Sequence, residues 1–453
     1  MSALRLAVIG GGISGLSAAY RLRALLGGSA VIDLYEACDR LGGTLKGVDL
    51  AGTKLDVGAE AFLVRRPEVP ALLAELGMAS RMVHPGTLGP RILARGTLES
   101  MPRPTLMGIP ADPAVVAHLA EPADLALMTD EPRRPLEWTR GQDISIGGLV
   151  AERFGRSVVD RSVDPMLSGV YSARADDLGL RAVLPALAAK LDAGSASLTA
   201  AVADLIGAAS GDGPVFGAMS GGYQELVDVL VERSAAAMYT GTIVTDIRRG
   251  ETGWLVDGIA YDGVVCALTA PAAARVLDSE PDLSRPLSGV DISGSAVVAM
   301  AFGPDVVLPE LSGVLVAGDE TVVRAKAFTF SSRKWPHLAG HGALVRASFG
   351  RFGAPVSDIG DDQLIDWATS DLSTVVGIWG GRGALASIDA VVQRWPAGLP
   401  RYGTGHADLL ADLESGRPRG LVLAGATYDG VGVPACIGRA DRAARRLVTD
   451  LTD

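Results

Sequence analysis

At 453 residues, with 48% apolar side chains and a net charge of −11, the chain has material for two or three packed lobes. That composition excludes a disordered or fibrous protein, and the acidic balance argues against a nucleic-acid partner. Cys38, Cys266 and Cys436 lack paired or metal-like spacing, the five histidines form no metal motif, and apolar runs stay short, so no disulfide framework, metal site or membrane span is expected.

The first element is a short apolar strand, Leu6 to Ile9, running into Gly10-Gly-Gly12-Ile13-Ser14-Gly15. A helix over Ser14 to Leu26 and a second strand over Ala30 to Tyr35 follow, and Glu36 closes that strand. A strand, a G-x-G-x-x-G turn, a helix and a terminal acid together specify a dinucleotide-binding βαβ unit. Gly10 permits the tight turn, Gly12 lets a pyrophosphate approach the backbone, and Gly15 lets helix and strand pack closely. Ile13 and Ser14 open a helix whose free N–H groups favour phosphate. Glu36 would accept hydrogen bonds from a ribose.

The loop Arg40-Leu-Gly42-Gly43-Thr44 resembles the segment that lines adenosine and pyrophosphate in FAD proteins. Leu55-Asp-Val-Gly58-Ala59-Glu60 is similar to the segment beside the flavin in amine-oxidase-like flavoproteins. An NAD-only site requires neither. A helix is predicted from Pro67 to Leu76. Residues 101–141, rich in proline and both charge signs, read as irregular structure with short helices. Residues 145–210 read as mostly helical, with breaks at Asp164-Pro165 and Leu184-Pro185.

Val215–Met219 is a predicted strand, and Gly221-Gly222 opens a helix over 223–233. Thr242 to Ile247 and Gly253 to Asp257 read as strands, and Val264 to Leu268 as a third that ends before a helix at Pro271. Four strand-like runs (296–302, 312–317, 325–330 and 343–349) carry an antiparallel signature. A helix over 359–375, a core strand over 420–425 and a helix over 434–449 complete the chain. Together these give an α/β fold: a discontinuous Rossmann-like FAD-binding domain, a mixed α+β substrate-binding domain and an inserted helical lobe. Residues 1–85, 205–270 and 395–453 are assigned to the first, 86–100 and 271–394 to the second, and 101–204 to the lobe.

The pattern resembles the bacterial coproporphyrinogen III and protoporphyrinogen oxidases, within the amine-oxidase-like FAD superfamily. The resemblance runs through Asp164-Pro-Met-Leu-Ser-Gly169-Val-Tyr171, Gly221-Gly-Tyr-Gln224, Lys334-Trp-Pro-His337, Arg394-Trp395-Pro396 and Gly425–Ile437. It departs in the lobe, which is short and polar. The resemblance implies a six-electron oxidation of a porphyrinogen, in three flavin cycles that return electrons to dioxygen as hydrogen peroxide. No catalytic acid, base or nucleophile is implied, and none is found.

FAD would be non-covalent, held by Gly10, Gly12, Ile13, Ser14, Gly15, Glu36, Arg40, Gly42, Gly43, Thr44, Gly58, Ala59, Val244, Trp395, Gly425, Tyr428, Gly432 and Val433. The turn before Pro434 starts a helix whose N-terminus would stabilise negative charge on reduced flavin. Arg65 or Arg66 would meet a substrate propionate, since arginine pairs a carboxylate in bidentate fashion. Gly169, Tyr171 and Phe330 would wall the pyrroles. The implied setting is the cytoplasm, with a peripheral membrane contact left open and handover of product to a ferrochelatase. Protoporphyrinogen IX oxidation and flavin amine oxidation remain as alternatives, the latter with Lys326 as the candidate sheet lysine.

Overall fold

The computed structural model describes residues 3–208, 213–381 and 385–453. Its nucleotide-binding part centres on five parallel strands, in the order Ala237–Tyr239, Val31–Tyr35, Arg5–Ile9, Gly263–Cys266 and Leu421–Leu423. These strands read as unbroken apolar runs because both faces are buried. Leu6, Val8, Leu34 and Val265 face the helices Ile13–Leu26, Gln224–Ser234 and Val433–Thr452. Ala7, Ile9, Val264 and Cys266 point the other way, onto Trp254, Tyr261 and the helix Ala270–Val276.

A second sheet has seven strands, ordered Ser387–Pro400, Ile292–Phe302, Ala343–Phe349, Ala327–Phe330, Gly313–Val316, Arg91–Ala94 and Thr97–Ser100. It is antiparallel except where Gly313–Val316 lies parallel to Arg91–Ala94. The helix Asp361–Ile378 covers one face through Leu364, Leu372 and Val375, against Val298, Val345 and Phe328. At one end of the opposite face, Ala299, Ala301 and Leu344 pack on the hairpin formed by Gly47–Leu50 and Thr53–Asp56. That hairpin also meets the nucleotide-binding part, where Asp56 accepts from Tyr223 N at 3.3 Å.

The helical lobe has its own core, built from Ile109, Leu149, Phe154, Val163, Leu187 and Val202 among others. Among the described residues, no helix is long and apolar enough to cross a membrane.

Four expectations are corrected. Asp164-Pro165 does not break its helix: Arg156–Val158, a π turn over Val159–Val163 and Asp164–Tyr171 run on continuously. The wider π turn and the first-turn position accommodate a residue that has no N–H to donate. Thr242 to Asp246 is not a strand, because Asp257 takes its backbone N–H groups: the carboxylate accepts from Thr245 N, Thr245 Oγ1 and Asp246 N at 2.9–3.3 Å. The strand at this point covers only Ile247–Arg249.

Residues 205–208, expected in the nucleotide domain, end the lobe helix Leu198–Ala208, and Leu205 and Ile206 pack on the lobe core. Lastly, the strand Ser387–Pro400 crosses the expected boundary at 394/395. It is an edge strand with one neighbour, so Pro396 costs it no ladder bond, and half-burial hides its alternation. Residues 209 and 210 of the expected helical stretch, and 382–384 of the expected substrate domain, lie outside the described residues.

Candidate cofactor cradle and substrate wall

The turn after Arg5–Ile9 separates two kinds of glycine. A Cβ on Gly15 would sit 1.8 Å from Gly10 O, so Gly15 is required by the protein itself. A Cβ on Gly12 would meet only Gly43 Cα, at 3.8 Å. Nothing in the protein demands glycine at 12, so the open space before it is a cradle that a side chain would partly fill. Gly12 is also the N-cap of the first helix, which has no side-chain cap and no acid in its first turn. Its N–H groups suit an anion.

Glu36 stands at the rim of this cradle. Its Oε2 accepts from Gly11 N at 2.7 Å and its Oε1 from Cys38 N at 2.9 Å. Each oxygen keeps a second acceptor site for a ligand hydroxyl. The 40–44 loop docks directly on the turn, with Gly42 N donating to Gly11 O at 2.8 Å. Arg40 folds that loop on itself, since its guanidinium donates to the carbonyls of Leu41, Gly43 and Leu45. Its role is therefore to shape the loop from within.

The run continues into the expected flavin-side segment. Ala59 N donates to Thr44 O at 3.3 Å, and a Cβ on Gly58 would lie 1.8 Å from that same oxygen. Trp395 Nε1 donates to Val57 O at 3.2 Å and Arg346 Nη2 to Gly58 O at 2.9 Å. Gly10–Gly15, Gly42–Thr44, Gly58–Ala59 and Trp395 thus form one surface. Val244 is buried behind Tyr35, and its neighbour Thr242 N donates to Glu36 O at 2.9 Å.

The C-terminal turn closes the cradle. Gly432 caps the helix Val433–Thr452, again without a side-chain cap or a first-turn acid. Cys436 in its first turns lies beside Ser14, in the first turn of the other helix, so the two uncapped N-termini are neighbours; its Sγ contacts Gly430 O at 3.9 Å. The Cys436 thiol is buried and pushed up to about 11 by that burial. Val433 packs into the core beneath. Gly425 leaves the last strand at φ +134°, a conformation few other residues adopt. The Tyr428 side chain points away from the expected flavin position. It lies 4% exposed in the core, with Arg439 stacked 4.8 Å over its ring, so it shapes the turn from behind.

On the expected substrate side, Tyr171 ends its helix against Tyr402, at 5.9 Å between ring centroids, and Tyr402 stacks on His406 at 4.4 Å. Tyr402 OH donates to Ala426 O, and His406 Nε2 bonds Thr427 O at 2.8 Å. This stack ties the lobe to the C-terminal turn. Gly169 is exposed on the same helix. Arg65 is exposed, and Arg66 is half-buried and paired with Glu68 at 2.5 Å. Phe330 does not reach a ligand space: it is fully buried among Val314, Val345 and Leu311 on the helix-covered face of the sheet. Strand alternation sends it there, with Phe328.

The sequence reading missed the ion cluster beneath Gly58. Glu60 Oε2 lies 2.8 Å from Lys334 Nζ and 3.5 Å from Arg346 Nη1, and Glu60 Oε1 accepts from Ser331 Oγ at 3.2 Å. Burial would raise the Glu60 carboxyl, but the two cations outweigh it and hold it at about 2. Asp56, two residues before Gly58, is instead pushed up to about 7 by burial, against the bonds it accepts from Tyr223 N. The available signal was an arginine, Arg346, at the centre of a strand of mostly apolar residues.

The model of the flavin-containing amine oxidoreductase family matches residues 13–448. A coproporphyrinogen III oxidase of Mycobacterium tuberculosis is 46% identical over 452 residues, covering 98% of this chain and 97% of the relative. One from Bacillus subtilis is 29% identical, covering 98% of each. A crystal structure from an Exiguobacterium species, provisionally assigned as a protoporphyrinogen oxidase, superposes at a TM-score of 0.85 with 27% identity and full coverage of both chains. Reduced UDP-galactopyranose mutase, at 14% identity, full coverage of this chain, 97% of its own and a TM-score of 0.71, shares the fold. With its FAD cradle and full-length likeness, the chain belongs to the coproporphyrinogen III and protoporphyrinogen oxidases of the flavin-containing amine oxidoreductase family.

Proposed function

We propose that the protein is an oxygen-dependent oxidase that converts coproporphyrinogen III to coproporphyrin III on a non-covalent FAD. The observation that carries this reading is the 46% identity to coproporphyrinogen III oxidases across nearly the whole of both chains. The cradle's open space at Gly12 and the paired uncapped helix ends fit the cofactor. Bound FAD supplies two-electron hydride acceptance and return of the electrons to dioxygen.

The residues bind and position. The N-terminus of the first helix would hold the pyrophosphate, and that of the C-terminal helix would stabilise negative charge on the reduced flavin. Gly58, held by Arg346, sets the floor on which the macrocycle's meso carbon approaches. Tyr171 and Gly169 supply a wall, and Arg65 a propionate partner. The buried, protonated Cys436 is poorly placed as a nucleophile toward flavin, which supports a cofactor released by acid. The amine-oxidase alternative gains nothing from Lys326, whose Nζ is engaged by Ser172 and Gly350. The cytoplasmic setting and the handover of product to a ferrochelatase belong to the same proposal.

The test is porphyrin fluorescence with purified, FAD-loaded protein on both porphyrinogens. Coproporphyrinogen III should give the higher kcat/KM, with three hydrogen peroxide molecules per porphyrin. A faster reaction with protoporphyrinogen IX would move the substrate assignment, and no porphyrin from either would end it.

A further inference from the structure

At the outer end of the seven-stranded sheet, beyond the strand Ala343–Phe349, lies a cavity of about 270 Å³. Arg324, Lys326 and Arg351 line it, Phe349 and Trp367 give it an aromatic wall, and Ile359 closes one side. No carboxylate is among its lining residues.

The cations differ in how they are satisfied. Arg324 is half-exposed and paired with Asp371 at 3.1 Å. Lys326 is buried, and its Nζ donates to two neutral acceptors, Ser172 Oγ and Gly350 O at 2.7 Å. The half-buried Arg351 guanidinium makes no hydrogen bond or ion pair among the described residues. Its charged neighbours are Arg174, which disfavours its charge, and Asp164, which favours it from outside hydrogen-bond range; Asp164 Oδ1 accepts from Ala175 N at 2.6 Å and its Oδ2 is buried without a hydrogen-bond partner. Two cations are thus gathered in a recess with no ion pair to either and no carboxylate in its lining, beside surfaces suited to an apolar arm. Partly buried charges of this kind are costly unless paired.

We propose that this cavity is a binding site for a small organic carboxylate, its anionic end between Arg351 and Lys326 and its apolar arm against Phe349 and Trp367. Arg351 offers the fork geometry that carboxylates accept, and Lys326 the point charge. Burial and the Arg351 charge push Lys326 down to about 7, so it is only part-protonated at neutral pH. An arriving carboxylate raises that value, and binding takes up protons.

The carboxylate has two conceivable sources: a propionate of the tetrapyrrole, or a separate small acid. Calorimetry on the FAD-loaded protein with 3-phenylpropionate, in two pH 7 buffers of different ionisation enthalpy, is the test. One saturable site per chain with proton uptake is expected. Arg351→Gln should weaken binding about tenfold or more, the scale of one lost charged hydrogen bond. Lys326→Met should abolish the proton uptake. Should Arg351→Gln fail to fold, Arg351→Lys, which keeps the charge but loses the fork, should bind more weakly than wild type.

Competition by coproporphyrin III assigns the site to the macrocycle, and absence of competition assigns a separate acid. Either outcome supports a carboxylate site, and both are independent of whether the porphyrinogen reading holds. No binding of 3-phenylpropionate, equal affinity in the Arg351 variants, or preference for inorganic phosphate would overturn it.

Discussion

The two walls of the cofactor cleft are built in opposite ways. The nucleotide side is made of short consecutive segments, Gly10–Gly15, Glu36 and Arg40–Thr44, joined by backbone bonds such as Gly42 N to Gly11 O. The opposing floor draws on four distant stretches: Gly58 and Glu60, Lys334, Arg346 and Trp395. On the first wall glycine leaves room for backbone to meet a ligand. On the second, buried charges lock one backbone carbonyl in place. A local wall tolerates change by position, whereas an assembled wall fails as a unit.

The largest test of that contrast is Glu60→Ala. It leaves Lys334 and Arg346 without their shared anion beneath Gly58, at a cost of about 3–5 kcal/mol. Chemical denaturation at pH 7 checks it. The pH dependence follows from sign: the Glu60 value falls from 4.5 to about 2, so its stabilisation is full above 4.5 and is lost as pH drops through 2. Asp56 acts oppositely as pH rises through about 7, and because the Glu60 charge helps to raise its value, the variant should relieve that part of the penalty. The wild-type-minus-variant difference should shrink below about 4.5 and, through the Asp56 coupling, also fall as pH rises toward 7; a difference that persists unchanged at low pH breaks the account.

The second test lies within the nucleotide wall. Gly15→Ala forces a Cβ onto Gly10 O and should destabilise the protein by about 1–3 kcal/mol whether or not FAD is present. Gly12→Ala meets no protein atom closer than 3.8 Å. Its cofactor-free melting temperature should match wild type while FAD binds about tenfold or more weakly. Equal cofactor-free melting of the two variants would remove the distinction between packing and cradle glycines.

The smallest effect concerns the substrate arginines. Arg65→Ala should raise KM for coproporphyrinogen III about tenfold, with kcat little changed, because a propionate contact is present in both ground and transition states. Arg66, paired with Glu68 and 40% exposed, should move stability by less than about 1 kcal/mol when replaced. Unchanged KM in Arg65→Ala would place the carboxylate anchor elsewhere.

These contrasts also explain what the sequence disclosed. The βαβ unit was legible because its turn, helix start and acid lie within a few dozen residues, each with a local conformational demand. The apolar strands of the second sheet were legible by composition. The edge strand Ser387–Pro400 was not, since half-exposed positions and Pro396 mask its period. Phe330 was misread because alternation decides its face only once the strand's register is known. Arg346 and Glu60 meet through pairing across nearly three hundred residues, which no local pattern encodes.

The edge strand carries one more consequence. Its fourteen residues end the larger sheet, and side chains rather than a further strand guard it: Ala51 N donates to Asp389 Oδ2 at 2.7 Å and Lys46 Nζ to Gln393 Oε1 at 2.6 Å. Both guards come from the region of the Gly47–Asp56 hairpin, in the part of the chain that feeds the cradle. When that region loosens, a long open β edge is bared to neighbouring molecules, and such edges recruit strands from other chains. Aggregation of this protein should thus begin at the sheet that remains folded, with its trigger in the half that has come apart.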